Sequence, residues 1–528
     1  MPLALTPALP SVGLAAPRSR RRPWGLTAAI AGMALALAGC VAPVEQTTPD
    51  PESSPEGTAA PALTTVEEYY GQEVAWAECG ELECATVRAP LDWDDLEAGG
   101  IDLALSRSVA TGAEEQRLGS LLINPGGPGS SGAGFVGYAT EVFSDRLLEA
   151  YDVVGFDPRG VGDSTAVSCG DDATVDAFLL ADPPLDNQED LDAARETLRA
   201  FGEGCLQQTG PLLGTVDTVS AARDLDLLRG VLGDEKLAYA GFSYGTFLGA
   251  TYADLFPENV GRLLLDGALD PSTSNDELVI GQAVGFEAAL TAYVEDCQAG
   301  PDCPLTGSAE NGKAQIAALL DRIERRPIET AYGVELDAVL GFYGVVVTLY
   351  NDEYWPLLTM ALTEAITENT GTYFVDLANA YLDRTVDGEY QSNQMVAFNA
   401  INCLDYPVVS RTFEELEAFA DEVAAQAPTF GRDFALGIGC ESWPVAPVGE
   451  RGPIAAEGAP PILVVGTTGD PATPYVWSEA LAEQLESGLL VTWEGEGHTA
   501  YGRANQCLTD AVDDYLVDGE LPADGLVC

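Results

Sequence analysis

Leu237-Ala238-Tyr239-Ala240-Gly241-Phe242-Ser243-Tyr244-Gly245 is the stretch on which the fold turns. The run ending at Ala240 is apolar and short, as in a strand buried on both faces, and the residues after Gly245 read as the opening of a helix. Between them lies Gly-x-Ser-x-Gly, in the strand, sharp turn and helix context that a nucleophile elbow requires. Glycines at 241 and 245 let a strained turn pack while Ser243 projects its hydroxyl.

Similar apolar runs recur on either side: Leu121-Leu122-Ile123, Val153-Val154-Gly155-Phe156, Leu263-Leu264-Leu265, Ile462-Leu463-Val464-Val465 and Leu489-Leu490-Val491. Helical stretches lie between many of them, for example Thr218 to Leu232 and Pro474 to Leu485. This alternation predicts an α/β fold, a mostly parallel sheet with helices on both faces. Almost two hundred residues of mainly helical character separate the strands near Leu265 and Ile462, more than a doubly wound sheet needs. Residues 66–271 and 456–528 are therefore read as two parts of one core. Residues 272–455 are read as a mainly helical cap inserted over the carboxyl edge of the sheet, where the ligand sites of such sheets lie.

A serine hydroxyl becomes a nucleophile only when a base takes its proton, and a carboxylate must orient that base. The chain has one histidine, His498, in Glu494-Gly495-Glu496-Gly497-His498-Thr499 just past a predicted strand. Between serine and histidine, the loop after Ile462–Val465 supplies Asp470; Glu494 and Glu496 are its substitutes. The order Ser243, Asp470, His498 is that of an α/β-hydrolase. Asn124-Pro125-Gly126-Gly127-Pro128-Gly129-Ser130-Ser131-Gly132 follows the strand at Leu121. Acyl transfer needs backbone N–H groups aimed at the developing oxyanion. Pro128 has none, so Gly127 is the expected donor, with Tyr244 giving the second.

Composition narrows the alternatives. In 528 residues, 84 Asp+Glu against 24 Lys+Arg leave a net charge of −60, and only Lys236 and Lys313 are lysines. A basic face for nucleic acid is excluded. A single histidine removes mechanisms that need two imidazoles, including most catalytic zinc sites, and no CxxC pair suggests a metal ribbon. Neither metal nor cofactor is expected.

The N-terminus reads as a targeting segment. Arg18-Ser19-Arg20-Arg21-Arg22 precedes an apolar run from Trp24 to Leu37, too short for an ordinary membrane span, and then Leu37-Ala38-Gly39-Cys40. That pattern resembles a bacterial lipobox, with residues 1–39 as lipoprotein signal peptide and a lipid-modified Cys40 as the mature N-terminus. Residues 40–65, rich in Pro, Thr, Ser, Ala and Glu, read as a disordered tether between membrane and folded body. Ten further cysteines, an even number in an exported chain, suggest disulfides. Pairing in sequence order is the simplest choice, and the sequence leaves the connectivity open.

Taken in order, Cys84-Ala85-Thr86-Val87-Arg88-Ala89-Pro90-Leu91-Asp92-Trp93, the Asn124–Gly132 loop, Phe156-Asp157-Pro158-Arg159-Gly160-Val161-Gly162-Asp163-Ser164, the Ser243 elbow, Asn402-Cys403-Leu404-Asp405-Tyr406-Pro407 and the Asp470 and His498 loops resemble the tripeptidyl aminopeptidase family. These are secreted bacterial α/β-hydrolases related to proline iminopeptidase. The resemblance spans roughly residues 76–528. It implies a serine exopeptidase that releases short peptides, usually tripeptides, from free peptide or protein N-termini through an acyl-enzyme. Proline iminopeptidase has His where Asn124-Pro125 stand, which argues against single-residue specificity. Aminopeptidase action needs carboxylates for the protonated amine. A Cys403–Cys440 bridge would bring Asp405 and Glu441 into one neighbourhood, and that pair is the expected anchor, with Asp352 and Glu353 as alternatives. Asp157 and Arg159 are expected to fix a loop beside the site. Competing readings are a carboxylesterase or general serine protease with the same triad, and a non-catalytic binding lipoprotein. Residue preference and oligomeric state are not set by the sequence.

Overall fold

The computed structural model describes residues 63–523 and 525–528. The leader expected at 1–39, Cys40 and the tether as far as residue 62 lie outside them. Ten strands form one sheet: β1 (Ala77–Cys79), β2 (Leu82–Pro90), β3 (Gly100–Ser108), β4 (Gly119–Asn124), β5 (Tyr151–Phe156), β6 (Leu237–Phe242), β7 (Val260–Asp266), β10 (Ile462–Gly469), β11 (Gly488–Glu496) and β12 (Leu526–Val527). The short hairpin β8 (Ile328–Glu329) and β9 (Glu335–Leu336) stands apart from it. The order across the sheet is β1-β2-β3-β5-β4-β6-β7-β10-β11-β12. β1, β2 and β3 are antiparallel additions, and every pairing from β5 to β12 is parallel. The apolar runs read from the sequence all fall on parallel strands, and the fold is that of an α/β hydrolase.

Burial on both faces explains the continuous apolar runs. Leu121, Val153, Leu264, Leu463 and Val491 are buried in one cluster with Phe143, Leu147, Leu508, Val512 and Leu516 from covering helices. Each such side chain contributes about 1.5–3 kcal/mol by leaving water. Helix Thr218–Leu232 has the span read from the sequence. Its start is set by Asp217, which accepts the Ser220 N–H at 2.9 Å, and its end by Gly233 in the left-handed region at φ 85°.

From β7 to β10 the chain is mostly helical. Helix Asn275–Ala299 opens with a capping box between Ser274 and Glu277. All the residues of helix Gln394–Asp405 are buried, the pattern of a helix enclosed by other elements on every side. Its first turns pack on the glycine loop after β4: a side chain at Gly129 would meet the Gln394 carbonyl oxygen at 2.5 Å and the Phe398 nitrogen at 2.8 Å. Ten cysteines form five disulfides in sequence order, 79–84, 169–205, 297–303, 403–440 and 507–528.

Two of the sequence motifs meet in the interior. Arg159, fully buried, pairs with the equally buried Asp224 through Nε and Nη2 at 2.7 Å each. It also donates to the carbonyls of Pro90, Leu91 and Thr215 at 2.9–3.2 Å, while Trp93 Nε1 donates to Asp224 at 2.9 Å. Asp157 accepts from Ser131 Oγ at 2.5 Å, Asp163 N at 2.8 Å and Ala133 N at 3.1 Å, tying its loop to the glycine loop. Arg159→Ala would strand the Asp224 carboxylate without its counter-charge. The expected loss is about 3–5 kcal/mol of unfolding free energy, read as a lower urea midpoint; a midpoint equal to wild type would contradict this account of the pair.

Candidate active site

Parallel strands deliver their carboxyl ends to one edge, so Ser243 after β6, Asp266 ending β7, Asp470 after β10 and His498 after β11 arrive together. Ser243 has φ 55° and ψ −125°, a strained conformation for a residue with a side chain, held only where the surroundings fix it. Its N–H donates to the Asp266 carbonyl at 2.9 Å, and its carbonyl accepts from Thr246 N at 2.8 Å and Thr246 Oγ1 at 2.6 Å. The flanking glycines are sterically required: a Cβ at Gly241 would lie 2.3 Å from the Gly245 carbonyl oxygen, and one at Gly245 2.7 Å from that of Asn124.

His498 Nδ1 lies 2.8 Å from both oxygens of Asp470. A carboxylate only accepts, so Nδ1 carries the proton and Nε2 presents its lone pair. Nε2 is buried and has no hydrogen-bond partner among the described residues; no hydrogen bond joins it to Ser243. Asp470 is itself held by the N–H groups of Ala472 at 3.0 Å and Thr473 at 2.9 Å, by Thr473 Oγ1 at 3.0 Å and by Thr499 N at 3.3 Å. Glu494 and Glu496, the sequence's substitutes for Asp470, take no part in this contact. Burial and the neighbouring Asp352 raise the Glu496 pKa.

The glycine loop lies against the serine. A Cβ at Gly126 would meet Phe242 O at 2.5 Å, Ser243 Cβ at 2.9 Å and Tyr244 N at 3.1 Å. Gly126 gives its own N–H to Asn124 Oδ1 at 2.9 Å. The N–H groups of Gly127 and Tyr244 have no acceptor among the described residues.

Residues that the sequence reading passed over complete the frame. Asp266 accepts from Ala500 N at 3.0 Å and Tyr501 N at 2.7 Å, and burial pushes its carboxyl up to about 6 against the pull of those N–H groups. Tyr350, in the segment between β7 and β10, accepts the His498 N–H on its carbonyl at 2.7 Å and packs its ring edge-on to the imidazole at 5.6 Å. Arg503 donates to the carbonyls of His498, Thr499 and Glu496 and reaches Asn351 and Asp352, at 2.8–3.3 Å. Asp266 closes an apolar strand run, as Ser243 and Asp470 follow theirs, and that placement was a readable signal. Tyr350 carried none.

The carboxylates expected at the amine divide. Asp405 is 3% exposed and takes the Thr218 N–H on Oδ1 at 2.9 Å and Thr218 Oγ1 on Oδ2 at 2.6 Å; Thr218 Oγ1 also meets the Tyr244 hydroxyl. Burial raises the Asp405 carboxyl to about 7. Glu441 lines a pocket beside helix Gln394–Asp405, whose wall does not include Asp405. Glu441 Oε2 accepts from Arg195 Nε at 2.8 Å and Ser410 Oγ at 3.2 Å, while Oε1 has no partner among the described residues. Of the alternatives, Asp352 is paired with Arg503 at 3.0 Å and Glu353 is exposed. Among the described residues, no group of three or more His, Cys, Asp or Glu side chains is arranged to hold a metal ion.

A family model described as TAP-like protein matches residues 427–528. The chain is 35% identical over 526 residues to serine protease Hip1 of Mycobacterium tuberculosis, covering 95% of this chain and 96% of that protein. It is also 35% identical over 523 residues to carboxylesterase B of the same species, covering 96% and 99%. With the tripeptidyl aminopeptidase of Streptomyces lividans it shares 30% identity over 473 residues, 86% of each chain.

The raised carboxyls of Asp266 and Asp405 carry a consequence for stability. Their folded-state values lie above the unfolded value near 4, so the folded protein binds these protons more tightly. The stability they contribute is complete below that value and is lost as pH rises through 6 and 7. The urea midpoint is therefore expected to be higher at pH 5 than at pH 7.5, and to lose part of that difference in Asp405→Asn. A midpoint that rises with pH across this interval would contradict the assignment.

Proposed function

The chain belongs to the tripeptidyl aminopeptidase family of bacterial α/β-hydrolases and is a serine hydrolase; from that premise we propose that it is an exported exopeptidase removing short peptides, tripeptides by preference, from free N-termini. Ser243 attacks the scissile carbonyl, and His498 Nε2 takes its proton. Asp470 fixes the tautomer and stabilises the imidazolium. The N–H groups of Gly127 and Tyr244 receive the oxyanion. Collapse of the tetrahedral intermediate expels the amine, protonated by His498, and water then releases the peptide from the acyl-enzyme by the same steps in reverse.

The observation that carries the exopeptidase reading is Glu441, a carboxylate on a pocket wall with one oxygen held by Arg195 and Ser410 and the other without a partner. An ammonium group is one partner that such an oxygen can take. Glu441 is therefore the amine anchor in this proposal, and Asp405 steadies Tyr244 through Thr218. The pocket runs along helix Gln394–Asp405 from Met395 to Asn402, about 10 Å at 1.5 Å per residue. Three residues of extended peptide span about 10 Å. Five disulfides support an oxidising compartment, and the leader read at residues 1–39, with Cys40 following it, supports a lipid anchor on the outer face of the cell membrane. A carboxylesterase is the second reading, supported by the relative of that name.

Hydrolysis of a tripeptidyl anilide, its N-acetylated twin and a short-chain ester separates the readings. The free peptide is expected to be cleaved about 10- to 100-fold faster than the acetylated one, the worth of one charge-assisted hydrogen bond. Glu441→Gln is expected to collapse that ratio. Ser243→Ala is expected to lower every rate by at least about 10⁴-fold. Equal turnover of blocked and free peptides would point to a general protease, and ester turnover without peptide turnover to an esterase.

A further inference from the structure

The pocket beside helix Gln394–Asp405 has more to it than its carboxylate. Its walls are apolar, built from Phe178, Leu179, Val279, Met395, Phe398 and Val408. Its two charged side chains each have a partner, and Glu441 keeps only Oε1 for the peptide's amine. The Arg411 guanidinium pairs with Asp276 and lies 4.4 Å from the centre of the Phe419 ring, and Glu441 is held by Arg195. The buried polar side chain left unspent is Asn399. It lines the pocket at 8% exposure, and its Nδ2 is buried with no acceptor among the described residues. On the same helix, Asn402 has given its Nδ2 to the Phe398 carbonyl at 2.9 Å. A buried amide N–H left without an acceptor costs about 1–3 kcal/mol, so a carbonyl delivered by a ligand would recover that cost.

Position ties the pocket to the nucleophile. Phe398, one residue before Asn399, has its backbone nitrogen against Gly129, and Gly126 of the same loop lies against Ser243 Cβ. Phe398 on the pocket wall is thereby linked to the serine through the glycine loop, and the same helix carries Asn399 and Asn402 on that wall.

We propose that this pocket is a specificity subsite that receives an apolar side chain from the first residue of the peptide, with Asn399 Nδ2 donating to that residue's carbonyl oxygen. The inference rests on the exopeptidase reading and adds the substrate's chemical class to it. A peptide that sets its amine on Glu441 brings its first side chain between Phe178, Val279 and Met395. With Glu441 taken by the amine and Arg411 by Asp276, a charged side chain there would lose water and find no free counter-charge. An apolar one gains about 25 cal/mol for each Å² covered.

The test is a set of tripeptidyl anilides, Xaa-Ala-Ala with Xaa as Leu, Phe, Asp or Lys, each free and N-acetylated. They are assayed with wild type, Val279→Lys, Asn399→Asp and Asn399→Gln. Selectivity is read as a ratio of kcat/KM within each enzyme, so a general loss of folded protein cancels. Wild type is expected to favour Leu and Phe over Asp and Lys by at least 10-fold, and Val279→Lys to cut the preference for Leu over Asp at least 10-fold. Asn399→Asp is expected to raise KM for the Leu peptide about 10-fold, with Asn399→Gln, which keeps the donor, restoring part of it. Equal turnover of the four free peptides by wild type, or an unchanged ratio in Val279→Lys, overturns the subsite. Failure of the exopeptidase reading is distinct: acetylated peptides are then cleaved as fast as free ones, while the preference for Xaa can still be read from either series.

Discussion

Asp266 is in register with Phe242 of β6 on one side and Val465 of β10 on the other, so it sits between the strand that ends in the nucleophile and the strand that ends in the acid. Its carbonyl takes the Ser243 N–H, and its carboxylate takes the N–H groups of Ala500 and Tyr501 just past His498. Two loops about 250 residues apart in sequence are thereby referred to one residue on a central strand. A carboxylate offers two oxygens and no donor of its own, so it meets both backbone N–H groups at once despite complete burial. A slip of β7 by one residue would turn that carboxylate to the opposite face of the sheet and release both loops together.

What the sequence disclosed follows from the same geometry. Doubly buried parallel strands have continuous apolar runs, so β4, β5, β6, β7, β10 and β11 could be found by inspection, and the residues after their carboxyl ends were where chemistry had to be sought. Ser243 and His498 were legible because a glycine-flanked serine and a solitary histidine have few other readings. Asp470 was legible through its position after β10. Legibility stopped where a partner came from the long connection between β7 and β10. That Tyr350 would offer its carbonyl to His498, or that Asp405 would turn inward to Thr218 while Glu441 stayed on a pocket wall, depends on how helices pack across more than a hundred residues. No local pattern encodes it. The antiparallel strands β1 to β3 were also missed: β1 has only three residues, and β2 and β3 intersperse exposed and half-buried positions among the buried ones, so they lack the continuous apolar run that marks the others.

The chain's acidity is distributed with a purpose visible in its arginines. With only two lysines, of which Lys313 is buried against Glu287, interior positive charge falls mainly to guanidinium groups, whose planar forks bind several acceptors in one plane. Arg159 gathers Asp224 and three carbonyls, Arg262 takes the carbonyls of Leu516 and Val517, and Arg384 grips Asp176. Each of these joins segments distant in the chain. Among the described residues, the buried carboxylates are paired, hold backbone N–H groups or, as at Asp513, take the hydroxyls of Ser144 and Tyr501.

The bond from His498 N–H to the Tyr350 carbonyl, reinforced by Arg503 reaching from the histidine loop to Asn351 and Asp352, makes the helical segment part of the histidine's mounting. In modular terms the two pieces are not interchangeable parts. Relatives that diverge in the helical segment must carry matching changes around the histidine, and a chimera that exchanged one without the other would join two halves cut for different hinges. Substitutions elsewhere on the helical segment can be made singly, whereas those at Tyr350 to Asp352 are tied to the histidine loop.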